Sequence, residues 1–154
     1  MITIGFLELN SISKGILAAD EMIKAADISL IMARPSCPGK YQILITGEVS
    51  SVEAALDAGQ AASSANVIDR LILPRIHPQV IEAINMSSAP ERLRALGVME
   101  FFSVTAAILA ADAAAKAADV DLLEILCHHD RRCIRCHRLG RCRYEISRRF
   151  RHGS

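Results

Sequence analysis

The sequence predicts an α/β (α+β) fold, built as a tandem repeat with an incomplete second copy. Two observations carry this expectation. Residues 4–27 (IGFLELNSISKGILAADEMIKAAD) align without a gap onto residues 96–119 (LGVMEFFSVTAAILAADAAAKAAD) at a constant offset of 92, and 12 of the 24 paired positions are identical. Helix propensity alone would not keep Gly5/Gly97, Glu8/Glu100 and the ILAAD and KAAD blocks in step, so a folding unit is duplicated. Within the first copy, short strand-like stretches alternate with helical ones, the pattern of an α/β or α+β sheet with helices on one face.

The elements follow in order. Residues 2–9 read as a strand, and 13–26 as an Ala-rich amphipathic helix with Ile16, Met22 and Ile23 available for burial. A second strand spans 27–34 and is interrupted by Pro35, Pro38 and Gly39. A third spans 41–49, and its TGEV end leads into a helix over 51–62. Residues 67–73 form a fourth strand, stopped by Pro74, and 78–84 a short helix. The polar stretch 86–95 contains the linker. The first unit is therefore drawn at 1–88, the linker at 89–95 and the partial second unit at 96–126. Only 4% of residues are aromatic although 51% are hydrophobic, so Ala, Ile, Leu and Val must build the core.

Charge divides the chain. Residues 127–154 hold nine Arg and no Lys against Asp130 and Glu145, while the chain as a whole carries only +1. The first 126 residues are therefore acidic, and the tail needs its own explanation. No apolar stretch approaches the ~18–20 residues that cross a bilayer. The opening MITIGFLELN has no basic segment ahead of an apolar one, which argues for a cytosolic chain.

Several segments together resemble the bacterial microcompartment shell domain over residues 2–126: IGFLEL, ADEMIKAADI, ITGEVSSVEAALDAG and LILPRIHPQV. The resemblance implies a ferredoxin-like unit and a structural shell subunit. Duplication implies the tandem class, in which three chains form a pseudo-hexameric homotrimer tile beside other shell proteins. The loop ARPSCPGKY (33–41) is similar to the subgroup from the propanediol-utilising compartment, and so implies a [4Fe–4S] cluster at the centre of the trimer. Cys37 is then the cluster ligand, one from each chain, within a loop formed by Ser36, Pro38 and Gly39. Thiolates are the usual ligands of such clusters, generally four. Three copies of Cys37 leave one iron open, and backbone N–H groups near Gly39 and Lys40 can hydrogen-bond the sulphurs. The resemblance also places Lys24, Lys116 and Arg75 at tile edges. Such contacts are individually weak and gain strength by repetition.

Other functions find less support. His77 has no nucleophile or base partner in a recognisable pattern and reads as structural. Glu8 and Glu100 read as repeat residues rather than an acid/base pair. GxxxxGK[ST], GxGxxG and HExxH are all absent, so nothing indicates an enzyme. In the tail, Cys127, Cys133, Cys136 and Cys142 with His128, His129 and His137 offer an alternative, a zinc- or nucleic-acid-binding module. Their spacing contains only one CxxC, where two knuckles want two. Arg, Cys and His without Lys is also what a G+C-rich gene yields when read out of frame. Codons chosen for 127–153 permit a one-nucleotide shift to read AIMTGGASGVIGWVDAVMKSAVAFGMD. Its G-x-V-x-x-V falls within one codon of the place where the offset of 92 puts the Gly47–Val52 motif. The expectation is a frameshift, with a non-native or disordered tail over 127–154. The apolar faces at Val98, Phe101, Ile108 and Leu122 are then expected to lack cover.

Overall fold

The computed structural model describes residues 2–85, 95–127 and 132–138. Strand β1 (Thr3–Leu9) lies inside the first sheet, flanked on both sides by antiparallel neighbours. These are β3 (Lys40–Gly47) and β4 (Val67–Leu73), with β2 (Ile28–Ser36) outside β3, giving the order β2-β3-β1-β4. Every residue of β1 is buried. Leu7 and Leu9 join Ile43 and Ile45 beneath α1 (Ile12–Ala25) and α2 (Val49–Ser63). Ile4 and Phe6 alternate to the opposite face, clustering with Leu44 and with Val80, Ala83 and Ile84 of α3 (Pro78–Ile84). Helices thus cover both faces, where the sequence reading put them on one. A strand apolar on both sides needs cover on both.

Burial on α1 also differs from the expectation. Met22 is fully buried, but Ile16 is 57% and Ile23 50% exposed. The packed face consists of Gly15, Ala18, Ala19 and Met22. Small residues win because the approach is close: a Cβ on Gly15 would lie 2.4 Å from Tyr41 Cβ, and one on Gly59 of α2 2.6 Å from Met22 Cγ. Strand β2 runs through Pro35 to Ser36 rather than ending at Arg34. As an outermost strand it pairs only with β3, and a missing N–H is tolerated at such an edge.

The second unit repeats the first. Strand β5 (Leu96–Phe101), helix α4 (Val104–Ala117) and strand β6 (Val120–Cys127) correspond to β1, α1 and β2. Even the caps match, with Ser11 accepting from Lys14 N and Ser103 from Ala106 N. One expectation is corrected. Strand β7 (Arg132–Arg138) lies beyond residue 126, yet it inserts between β5 and β6 as β3 does between β1 and β2. Strands β5 and β6 each present an edge of unpaired backbone groups, and an antiparallel strand between them satisfies both. The linker residues 86–94 and the tail residues His128, His129 and Cys142 lie outside the described residues. Most of the tail, 128–131 and 139–154, lies there too, so the frameshift and tail expectations fall largely outside the described residues, as do these three of the seven zinc-module candidates.

Candidate functional site

Two places in this fold bear on function, a hairpin tip and the contact between the units. Strands β2 and β3 pair out to Ser36 and Lys40, which leaves Cys37, Pro38 and Gly39 as the turn. Gly39 has φ +67°, a left-handed conformation that side-chain-bearing residues rarely adopt. Cys37 is a free, exposed thiol at the tip. The expected loop residues Ser36, Cys37, Pro38 and Gly39 are therefore together on one turn. At its base, Lys40 Nζ lies 3.6 Å from Glu8 Oε1. Gln42 Nε2 donates to the same oxygen at 3.3 Å. Glu8 is 2% exposed, so these partners offset the cost of burying its carboxylate. The strand glutamate is thus a packing and positioning residue, in line with its reading as a repeat feature.

Among the described residues no group of three His, Cys, Asp or Glu gathers as a metal site. One chain offers a single thiol at the tip. A [4Fe–4S] cluster therefore fits Cys37 only where several copies of the hairpin meet.

The expected edge residues stand apart from this tip. Lys24, in the last turn of α1, is bound to Asp20 at 2.5 Å, with Glu21 at 3.9 Å. Hydrogen bonding to Asp20, and then its charge, raise the lysine above its ordinary value of 10.5, so Lys24 stays cationic. Lys116 makes the same i,i+4 bridge to Asp112 on α4. Arg75 stands exposed on the turn between β4 and α3 with φ +56°.

The contact between the units was not legible as a site. Asp112 is 6% exposed, and its Oδ1 accepts the main-chain N–H of His77 at 2.8 Å. Its Oδ2 holds Lys116. Thr105 donates its hydroxyl to Asp69 Oδ2. Gln79 donates to Asp121 Oδ1 and accepts from Leu122 N, both at 3.4 Å. Around these bonds, Val104, Ile108, Leu122 and Ile125 of the second unit close an apolar core with Ile76, Val80 and Ala83 of the first. Ile108 and Leu122 are each 1% exposed and so do have cover, whereas Val98 is 51% exposed. His77 acts through its backbone, consistent with its structural reading.

The repeat, the alternating strands and the paired units point one way, and comparison decides it. The BMC domain family model matches residues 3–76 and 95–133. The chain belongs to the BMC domain family. It is 39% identical over 122 residues to the bacterial microcompartment shell protein PduT of Citrobacter freundii, covering 79% of this chain and 66% of that protein. The BMC chain thus spans slightly under two thirds of that relative. It is also 33% identical over 79 residues to the shell protein PduA of the same organism, half of this chain but 85% of PduA. Among solved structures, a microcompartment protein from Desulfitobacterium hafniense DCB superposes with a TM-score of 0.83 at 43% identity, covering 89% of this BMC chain and 78% of that one. No helix among the described residues is long and apolar enough to cross a membrane.

Proposed function

We propose that the chain is a structural subunit of a bacterial microcompartment shell, filling two adjacent positions of a pseudo-hexameric tile. The observation that carries this reading is the head-to-tail contact inside the chain. The edge formed by β4 and α3 of one unit receives α4 and β6 of the next, through Asp69, His77 and Gln79. A heterologous contact of this kind between like units generates a ring where its rotation closes, as the proposed tile requires. The similarity to shell proteins such as PduT and PduA supports the same role. A tile holding three copies, the homotrimer that the sequence resemblance implies, sets three Cys37 thiolates about one axis. In this reading they hold a [4Fe–4S] cluster, which would supply one-electron transfer through the tile.

The exposed Cys37 thiol and its short Gly39-dependent turn support that assignment. Anaerobic purification followed by iron and sulphide analysis tests it. Assembled protein is expected to carry about four irons per three chains, and Cys37→Ser to lose them. Equal iron in both forms removes the cluster. Recovery of the chain in the soluble fraction rather than with isolated shells removes the shell role.

A further inference from the structure

The Cys37 turn is three residues long, so its geometry is set by the two residues that close it, Ser36 and Lys40. Lys40 does more than pair its backbone. Its ammonium, on a side chain only 24% exposed, reaches the Glu8 carboxylate on the inner strand β1. Gln42, two residues on and fully buried, donates to the same oxygen. The amide's own Oε1 has no hydrogen-bond partner among the described residues. Gln42 is thus turned toward Glu8 at the cost of a buried acceptor, which marks the carboxylate as the centre of the arrangement. The second unit offers a comparison. Glu100 is the copy of Glu8 at the offset of 92, yet it is exposed, and Cys133 rather than a glutamine stands opposite it in the register. Among the described residues, a glutamate buried against an amide and an ammonium therefore occurs only in the unit that carries the Cys37 turn.

We propose that Lys40, held by Glu8, is a positioning residue for Cys37 and brings a fixed positive charge beside the group that this thiol ligates. The inference rests on the cluster reading and adds to it the residue that tunes the cluster. Lys40 is tethered at both ends, by the strand pairing of its backbone and by the ion pair of its head, so it cannot swing out with the turn. An ion pair in open solvent is a weak tether. Here one partner is buried, and breaking the pair would leave its charge uncompensated. The potential of an iron–sulphur cluster responds to the charges around it. A nearby cation favours the state with the added electron, and an anion opposes it. Lys40 and Glu8 therefore act together on the turn but with opposite signs on the cluster.

Glu8→Gln and Lys40→Met in the full chain test the inference by two readouts. The first is hydrogen–deuterium exchange of the iron-free protein, read by mass spectrometry over residues 36–41. Both variants should exchange there about fivefold faster or more, with β4 and α2 unchanged and Lys40→Arg restoring the wild-type rate. The second is the potential of the anaerobically loaded protein, titrated under electron paramagnetic resonance. Lys40→Met should move it to more negative values and Glu8→Gln to less negative ones. If Lys40→Met fails to fold with its glutamate stranded, the double variant Glu8→Gln/Lys40→Met leaves neither charge unpaired and is expected to loosen the tip to the same degree. Unchanged exchange at the tip, or potentials that move the same way in both variants, overturns the inference while the bound iron leaves the cluster standing. Absence of iron from wild type overturns the cluster reading, and tip exchange then decides the positioning role alone.

Discussion

Asp112 holds three things at once: the last turn of its helix through Lys116, the backbone of His77, and through these the contact between units. Removing it leaves a buried N–H and a part-buried ammonium without their acceptor. Asp112→Ala is expected to cost about 1–3 kcal/mol in urea unfolding. Asp20→Ala, the same change in the other copy, should stay within about 0.5 kcal/mol, since Asp20 is exposed in the free chain. Equal losses at both positions would contradict the assigned asymmetry. The sequence could not distinguish the two residues, because both sit in an identical ILAAD block. Their difference arises from what lies across from them, which no local pattern encodes. Cys37, by contrast, was legible because Pro35, Pro38 and Gly39 mark its turn wherever the rest of the chain goes. Ile16 misled for a related reason. Periodicity identifies an apolar face, but α1 has two of them, and the one with Gly15 and Ala18 packs more closely.

Most elements of the first unit were readable from period-two and period-3.6 patterns, with ends shifted by one or two residues. Strand β7 was not, since RCIRCHR resembles nothing in the first copy. Its position comes from the edges of β5 and β6. The register of β7 is informative in itself. Thr46 faces Ile4 in the first unit, and His137 faces Leu96 in the second, so β7 follows the repeat at an offset of 91 rather than 92. The counterpart of Gly47 is then residue 138, and the glycine of the shifted-frame G-x-V-x-x-V motif falls on that position. We therefore expect the nucleotide sequence across codons 124–130 to contain a one-base insertion or deletion relative to related genes. A frame that is open only as written, in those genes as well, would contradict this.

At the scale of the molecule, the duplication has a direct mechanical consequence. Two copies of one unit, joined in series, already contain the contact by which further copies can be added. On the proposed shell role, association repeats a contact already present within the chain, and many modest contacts sum across a sheet. The sequence disclosed the duplication through its gapless offset but not the contact, which combines the end of one copy with the helix of the next. The most direct measurement is negative-stain electron microscopy of the chain produced with a complete single-unit shell protein. Flat tiles of near-hexagonal outline that contain the chain are the predicted result. Dispersed particles of monomer size, under conditions where the single-unit protein forms its own tiles, would contradict the account.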